Sequence, residues 1–221
     1  MVSIGSLFVV SGPSGVGKDT VLQRVLARLG RGALMRVTTA TTRPMRPGDT
    51  DGVSYHFLSR DEFERRVAAG WFLEWASFGG ELYGTPAGAV AETRAAGRHV
   101  LIQIDVQGAD QVRALASDAV LIFIAPPTMA AMRERLLAPG ADARNDLEQR
   151  LRRGAEEVAG AGRFDFVVIN DVLEEAADEL EALLIVHGAA PVGPTPDQVE
   201  LAERCAVSRR RSHLDFLLEG I

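Results

Sequence analysis

The sequence predicts an α/β fold: a parallel sheet flanked by helices, with a small inserted lobe of mixed α/β structure. Short apolar runs rich in β-branched and aromatic residues recur along the chain, separated by longer segments with helical spacing. These runs lie at 7–10, 99–104, 120–124 and 166–169. Between residues 38 and 83 the pattern changes to short strands joined by turns. This change predicts the inserted lobe.

The first helix is expected at about 17–29, directly after the first strand, and to end near Gly30. Apolar residues at helical spacing form its predicted buried side, namely Val21, Leu22, Val25 and Leu29. Within the lobe, strands are expected at 54–57 and 72–78. The spacing of Ser59 and Glu62 predicts a capping box for a short helix that Gly70 ends.

The second half of the chain continues the helical pattern with two breaks. Pro and Gly at 138–142 separate a helix bearing 132–136 from a longer helix at about 145–158. The segment 188–196 is a linker by composition. Asp197 is then the predicted N-cap of a final helix that runs to about residue 218.

Composition narrows the classes of function. The 221 residues carry a formal charge of −6, which argues against broad electrostatic attraction to nucleic acid or anionic membranes. A single cysteine, Cys205, excludes an internal disulfide framework. No stretch approaches the ~20 apolar residues that a membrane span needs. We therefore expect a cytoplasmic protein that acts on small phosphorylated ligands.

The segment GPSGVGKDT at 12–20 has the spacing of a phosphate-binding loop. Gly12, Gly17 and Lys18 match G-x-x-x-x-G-K, in which backbone N–H groups surround phosphate oxygens and the lysine bridges toward the transferred group. The apolar strand before the segment and the amphipathic helix after it supply the context that the motif requires. The alternative is a glycine-rich turn that serves only packing, but such a turn would not require a lysine at the start of the helix.

Asp19 stands where such a loop usually has Ser or Thr, whose hydroxyl helps to hold Mg²⁺. A carboxylate oxygen is also a good ligand for Mg²⁺, so Asp19 is expected to act through the metal, directly or through water. Thr20 still offers a hydroxyl to a phosphate oxygen. The alternative is that Asp19 is only a favourable acidic residue in the first turn of a helix.

A second anion site is predicted on the proline-stiffened loop TTRPMRPG at 41–48. It carries Arg43 and Arg46, and Tyr55 follows the loop. Two planar guanidinium groups on a rigid backbone suit a terminal phosphate, because they bind it bidentately and lose little conformational entropy on binding. A solvated loop with surface arginines is the simpler alternative.

A base-reading pocket is predicted from polar residues in apolar surroundings. Glu74 lies inside the apolar strand FLEWA and needs a hydrogen-bond donor, either the N–H groups of a purine edge or an internal arginine. Tyr83 and Thr85 offer hydroxyls on a tight turn. Asp105 ends a buried strand at its carboxyl end, where ligands collect in parallel sheets.

With these residues assembled, the chain resembles the guanylate kinase family from about residue 7 to residue 186. The matching segments are GPSGVGK (12–18), TTRPMRPGDTDGVSYHF (41–57), FLEWASF (72–78), YGT (83–85), IDVQGA (104–109), ERL (134–136), QRL (149–151) and VVINDVLEEA (167–176). The resemblance implies a nucleoside-monophosphate-kinase-like P-loop fold. It implies a core at 1–37 and 86–187, a GMP-binding lobe at about 38–85, a helical lid at about 135–150, and a linker and helical tail at 188–221.

The resemblance also implies transfer of the ATP γ-phosphoryl group to GMP with Mg²⁺. The residues it assigns to ATP are Gly12, Pro13, Ser14, Gly15, Val16, Gly17, Lys18, Asp19, Thr20 and Asn170. The residues it assigns to GMP are Thr39, Arg43, Arg46, Tyr55, Glu74, Tyr83, Thr85 and Asp105. The residues with a catalytic role are Lys18, Arg43, Arg135 and Arg150. Asp19 is the expected metal ligand, and the resemblance implies that Asp105 organises the pocket and the water ligands of the metal.

The chain departs from the family pattern at three positions. Asp19 replaces Ser or Thr, and Gln103 stands where an acid is common. Pro139 occupies a lid position that normally carries arginine, so Arg144 or Arg133 would have to supply that charge.

Two other functions fit parts of the sequence. A ribose bisphosphate kinase of phosphonate breakdown often has aspartate after the P-loop lysine, but a sugar phosphate has no purine edge for Glu74. A non-catalytic guanylate-kinase-like interaction module is expected to lack a working P-loop, whereas Lys18, Arg135 and Arg150 are present here.

Overall fold

The computed structural model of the chain describes residues 4–30, 32, 34–137, 147–190 and 193–219. The strands are β1 (Leu7–Ser11), β2 (Leu34–Arg36), β3 (Ala40–Thr41), β4 (His56–Phe57), β5 (Phe72–Phe78), β6 (Glu81–Pro86), β7 (His99–Gln103), β8 (Val120–Ala125) and β9 (Phe166–Ile169). The helices are α1 (Lys18–Leu29), α2 (Arg60–Ala68), α3 (Ala87–Ala95), α4 (Val106–Leu115), α5 (Met129–Leu137), α6 (Leu147–Gly160), α7 (Leu173–Val186), α8 (Pro196–Arg204) and α9 (Arg211–Glu219). A short 3-10 turn at Ala161–Arg163 follows α6.

The central sheet is parallel and has the strand order β2-β7-β1-β8-β9. Because side chains alternate along a strand, β1 contributes to two apolar clusters, one on each face. Phe8 and Val10 pack with residues of α1 and α7. Leu7 and Val9 pack with residues of α4, α6 and α9. The predicted parallel sheet covered by helices is thus confirmed.

The inserted lobe has its own four-stranded mixed sheet, in the order β4-β3-β6-β5. Phe63 of α2 stacks on Phe72 of β5, with ring centroids 4.4 Å apart, to form its small core. The Ser59 hydroxyl accepts a hydrogen bond from the Glu62 backbone N–H at 3.2 Å. The Glu62 carboxylate binds Arg65 and Arg66 instead of returning to the cap, so only half of the predicted capping box forms.

Several predicted boundaries are confirmed and others are wrong. The strand at 72–78 and the helix at 17–29 match β5 and α1 closely, and Gly70 follows α2 with a φ of 67°. The strand expected at 54–57 covers only His56–Phe57. Tyr83 and Thr85, expected on a tight turn, lie within strand β6, where they pair with β5. Strand β2 is not predicted from the sequence.

The C-terminal segment is two helices, where one was expected. The N-cap of α8 is Thr195, not Asp197: its hydroxyl accepts from the Gln198 backbone N–H, and the Gln198 side chain accepts from the Thr195 backbone N–H. Pro196 at the first helical position suits this start, because its missing N–H would have no partner there. The chain then turns before α9.

In the described part of the chain, no helix is both long enough and apolar enough to cross a bilayer.

Candidate functional site

The candidate site lies at the carboxyl edge of the central sheet. The P-loop, residues 12–18, follows β1, Asp105 follows β7 and Asn170 follows β9. Because β7, β1, β8 and β9 are parallel neighbours, these three segments meet at one edge, where ligands of open α/β sheets bind. Asp105 is the N-cap of α4, and its Oδ1 accepts a hydrogen bond from the Gly108 N–H at 2.8 Å.

The P-loop needs its first and third glycines for steric reasons. Gly12 has a φ of 144°, and a Cβ there would lie 2.2 Å from the carbonyl oxygen of Ile124. Gly17 has a φ of 91°, and a Cβ there would lie 2.6 Å from the Asn170 side-chain nitrogen. Side chains rarely adopt either conformation, so the loop can hold this shape only with glycine.

Lys18, the first residue of α1, folds back over the loop. Its ammonium group donates to the carbonyl oxygen of Gly12 and, at 3.0 Å, to that of Pro13. Burial lowers the pKa of the Lys18 ammonium group. Nearby carboxylates oppose this shift, Glu157 more than Asp19 and Asp105.

Asn170 and Arg135 hold the P-loop from behind. The Asn170 side chain, 6% exposed, donates to the Val16 carbonyl oxygen at 2.7 Å. The Arg135 guanidinium donates to the same oxygen at 3.2 Å and to the Asn170 carbonyl oxygen at 2.8 Å. Both side chains were expected to contact nucleotide. In this structure they bind the loop backbone.

Arg150, on α6, reaches the exposed side of the P-loop. Its guanidinium donates to the Ser14 hydroxyl at 3.2 Å. The predicted lid lies largely outside the described residues, as do Pro139 and Arg144. Arg133 is exposed on α5 and does not line the main cavity.

One cavity of about 560 Å³ joins the P-loop to the inserted lobe. Gly12, Ser14 and Lys18 line it on the side of the core. The inserted lobe contributes Thr39, Tyr55, Glu74 and Tyr83, and the segment after β7 contributes Asp105. The structure therefore brings residues of both predicted sites around a single space, including five of the eight residues assigned to GMP and three of the ten assigned to ATP.

Glu74 and Thr85 form the buried polar pair of the lobe. They are cross-strand neighbours on β5 and β6, and the Thr85 hydroxyl donates to Glu74 Oε1. Glu74 is 4% exposed, and this burial raises its pKa to about 7. The Thr85 hydrogen bond opposes the shift, whereas the negative charge of Asp105 adds to it.

The two tyrosines of the lobe pack edge to face, with centroids 6.1 Å apart. The Arg43 guanidinium lies over the Tyr55 ring and forms an ion pair with Asp49 at 2.9 Å. The Arg46 backbone N–H donates to the same carboxylate, and these bonds lower the pKa of Asp49. Neither arginine lines the cavity as the structure stands.

Asp19 and Thr20 are exposed in the first turn of α1. Asp19 does not line the main cavity. It lines a neighbouring cavity of about 540 Å³ together with Arg36, Thr38 and Gln103. Gln103 borders both spaces, and its Oε1 is shielded from solvent without a hydrogen-bond partner among the described residues.

Sequence reasoning missed Glu157, which lines the main cavity from α6. Its Oε2 is shielded from solvent and has no hydrogen-bond partner within the described part of the chain. Burial raises the pKa of Glu157 to about 7, and Lys18 opposes this shift. The available signal was its spacing: Glu157 follows Arg150 by seven residues, so the two lie on one face of a helix.

Comparison with known proteins assigns the family. The family model described as guanylate kinase matches residues 5–186. A guanylate kinase from Symbiobacterium thermophilum is 44% identical over 188 residues, covering 85% of this chain and 88% of the relative. One from Gloeobacter violaceus is 48% identical over 181 residues, covering 82% and 87%. A crystal structure of guanylate kinase from Anaplasma phagocytophilum has a TM-score of 0.63 at 30% identity and covers 82% of this chain and 85% of its own. The chain belongs to the guanylate kinase family.

Proposed function

We propose that this enzyme transfers the γ-phosphoryl group of ATP to GMP, giving ADP and GDP, within the cavity between the P-loop and the inserted lobe. As a guanylate kinase, the chain is a nucleoside monophosphate kinase that binds these two nucleotides. The observation that carries the assignment of the site is that Lys18 and Glu74 line one cavity. ATP, the phosphoryl donor, and GMP, the acceptor, would thus bind in the same cavity.

On the donor side, the loop of residues 12–17 would surround the ATP phosphates with its N–H groups, at the N-terminus of α1. Lys18 would release the carbonyl oxygens of Gly12 and Pro13 and turn to the transferred phosphoryl group. Thr20 and Asp19 follow in the first helical turn. Asn170 and Arg135 would act by holding the loop, since both bind the Val16 carbonyl oxygen.

On the acceptor side, Glu74 would accept hydrogen bonds from the guanine N–H groups, with Thr85 fixing the carboxylate. Thr39 and Asp105 line the same cavity. The GMP phosphate would be held by Arg43, Arg46, Tyr55 and Tyr83. Arg43 would then exchange part of its ion pair with Asp49 for the phosphate, because two oxygens of a phosphate, like those of a carboxylate, can accept parallel hydrogen bonds from one guanidinium.

Phosphoryl transfer requires little covalent chemistry, so the rate would come from in-line positioning and from neutralising charge on the moving group. Lys18, Arg43 and Arg150 are the cations that we assign to this task, with Arg135 behind the loop. We assign no general base. Closure of the lobe at about 38–85 over the core would exclude water, which would otherwise accept the phosphoryl group.

A divalent metal, which we propose to be Mg²⁺, fits the residues present. Carboxylate oxygens are its preferred protein ligands, and Asp19, Asp105 and Glu157 all lie close enough to Lys18 to affect its pKa. When bound, the ion would neutralise charge on the β- and γ-phosphate oxygens. Asp19 would hold it directly or through water.

The decisive assay measures ADP formation with ATP and either GMP or ribose bisphosphate. Turnover that depends on GMP supports the proposal, whereas turnover that depends on the sugar phosphate would favour the ribose bisphosphate kinase. No turnover with either acceptor would favour an interaction module. Lys18→Met is the matched control, because it removes the cation but retains the length of the side chain.

A further inference from the structure

Helix α4 of the core packs directly on the part of β5 that carries Glu74. Leu73 is 9% exposed and belongs to the apolar cluster that contains Val106 and Ala109 of α4. A Cβ on Gly108 would lie 2.7 Å from Glu74 Oε2, so the helix can approach the carboxylate this closely only because residue 108 has no side chain. The strand segment with the buried acid is thus attached to the core.

Gln111 of α4 binds the backbone of the residue that follows Glu74. The Trp75 N–H donates to Gln111 Oε1 at 3.1 Å, and Gln111 Nε2 donates to the Trp75 carbonyl oxygen at 2.8 Å. A neighbouring strand would bind the N–H and C=O groups of one residue in the same way. Because β5 is the outermost strand of the lobe sheet, the Gln111 side chain takes the place of a strand at this open edge.

The pairing of β5 with β6 is irregular just before Glu74. Phe72 pairs with Pro86 and Glu74 pairs with Thr85, so β5 has one residue more than β6 between these two pairs. A bulge of this kind bends the strand and changes the direction of the neighbouring side chains. Pairing with β6 therefore leaves the direction of Glu74 less constrained, and the bonds from α4 to the next residue supply a second constraint.

We propose that Gln111 is a positioning residue for base recognition: its amide fixes the Trp75 backbone and thereby holds the Glu74 carboxylate in the orientation that accepts the N–H groups of guanine. This inference rests on the proposed function, because it concerns how Glu74 reads the base. Gln111 does not line the main cavity, so it acts through the strand and not on the nucleotide.

The geometry of the carboxylate explains why a fixed backbone matters. Thr85 holds Oε1 from β6, while Oε2 faces Gly108 of α4. Gln111 follows Gly108 by three residues, so one face of the helix contacts both the carboxylate and the backbone after it. Hydrogen bonds weaken steeply when donor and acceptor are misaligned. A small shift of β5 on α4 would therefore weaken the contact with the purine edge.

The residues assigned to the GMP phosphate are held in another way. Arg43 forms an ion pair with Asp49, six residues further along its own loop, and the Arg46 backbone N–H donates to the same carboxylate. The loss of the Gln111 amide should therefore affect the selection of the base and leave the binding of the phosphate intact.

The test compares Gln111→Met with the wild type, because methionine retains the length of the side chain and can form neither bond to Trp75. Steady-state assays of ADP formation use GMP or inosine monophosphate (IMP), which lacks the exocyclic amino group of guanine. The KM for GMP should rise roughly two- to tenfold, the equivalent of one net hydrogen bond. The KM for IMP should rise less, so the preference for GMP over IMP should fall. The kcat and the KM for ATP should be unchanged.

Gln23→Met is the matched control. It makes the same substitution at an exposed position on α1, so the KM values for GMP and IMP should equal those of the wild type. Thermal melting shows whether each variant is folded.

A double variant tests whether Gln111 acts through Glu74. Residues that belong to one interaction give effects that do not add. Once Glu74→Gln has impaired the reading of the base, Gln111→Met should raise the KM for GMP by much less than it does in the wild type.

A wild-type preference for GMP over IMP in Gln111→Met would overturn the proposal. Full additivity with Glu74→Gln would overturn it as well, because Gln111 would then act on the lobe by another route. Calorimetric titration with GMP and IMP measures the same preference without turnover. A wild-type protein that prefers GMP in this titration but forms no ADP would contradict the proposed function, and the effect of Gln111→Met on the preference would still decide the role of Gln111.

Discussion

At the scale of single residues, the Glu74 carboxylate is the group to which we assign the recognition of guanine. It is buried, and the Thr85 hydroxyl donates to its Oε1. The other oxygen lies against Gly108, where a Cβ would approach Oε2 to 2.7 Å. A side chain at residue 108 would therefore push into the carboxylate, and glycine leaves Oε2 accessible. An acid with one oxygen fixed and one available suits a ligand edge that carries N–H donors.

Glu74→Gln should impair the use of GMP selectively. The amide retains the size of the side chain, but it replaces one acceptor oxygen with a donor nitrogen. We expect kcat/KM for GMP to fall roughly 5- to 150-fold, which corresponds to the loss of ~1–3 kcal/mol of binding free energy. The KM for ATP should be nearly unchanged. Steady-state kinetics with each nucleotide varied in turn measures both. An equal loss of ATP affinity would show that Glu74 stabilises the whole cavity and does not read the base.

The raised pKa of Glu74 predicts a pH dependence of GMP binding. Burial raises the pKa of this carboxyl group to about 7, and the proposed contact with guanine requires its charged form. Below pH 7 the group must lose a proton to bind, so affinity should fall as pH decreases, by up to about tenfold per unit. Calorimetric titration with GMP in EDTA measures this.

The GMP phosphate also titrates in this range, so Glu74→Gln provides the correction. The ratio of the dissociation constants for GMP of the wild type and of Glu74→Gln removes the contribution of the phosphate. It should change between pH 6 and 8 only if Glu74 releases a proton on binding.

At the scale of elements, the β5–β6 hairpin touches helix α6 across the mouth of the cavity. Phe78, 51% exposed, lies under the Arg153 guanidinium, 5.2 Å from the ring centroid to Cζ. Both residues line the cavity. This contact connects the inserted lobe to the helix that carries Arg150 and Glu157, so it should favour the closed arrangement.

Phe78→Ala should therefore raise KM for GMP roughly two- to fivefold, the equivalent of the ~0.5–1 kcal/mol of an exposed cation–π contact. The melting temperature should hardly change, because the ring is half exposed. Phe216→Ala, which removes a 54% exposed ring on α9, is the matched control and should leave KM unaltered. An unchanged KM in Phe78→Ala would show that the contact does not contribute to closure.

The elements that were predictable from the sequence are those whose own residues carry the signal. The run Leu7–Ser11 is fully buried and apolar apart from its last residue, so the uninterrupted apolar run was itself the signal of a strand. Strand β2 has three residues, of which only Leu34 is buried, too short to show a period. Thr195 was missed as the cap of α8 because Asp197 is an equally good cap by type. Only the position of Pro196 distinguishes them.

The residues of the candidate site likewise divide into those that the sequence predicts and those that it does not. Lys18 and Glu74 were identifiable because each is exceptional locally, one in a glycine loop and the other in an apolar strand. Glu157 was not, because one acid on a charged helix is ordinary. Its place in the cavity depends on the packing of α6 near the P-loop, where Gly154 lies close to Pro13, more than a hundred residues away in sequence. Local patterns contain no such information.

At the scale of the whole molecule, the C-terminal helices belong to the core although they follow the family match, which ends at residue 186. The Val167 N–H donates to the Cys205 carbonyl oxygen at 2.7 Å, so the tail pairs with the outermost strand β9. Cys205 is fully buried. Helix α9 packs on α6, the helix that contacts the P-loop. The tail thus covers a sheet edge and supports the wall of the site.

Leu214→Ala tests this role of the tail. Leu214 is 3% exposed and belongs to the apolar cluster that contains Val158 of α6. Its truncation should cost about 2–5 kcal/mol and lower the melting temperature by roughly 4–20 °C, given ~2–4 °C per kcal/mol for a chain of this size. Leu218→Ala removes the same atoms from a 40% exposed position on the same helix, where the change should stay within about 0.5 kcal/mol. Calorimetry of both variants measures the difference. If α9 were a loosely attached appendage, the two variants would melt at the same temperature as the wild type, and α6 would need another support to hold Glu157 beside the phosphate loop.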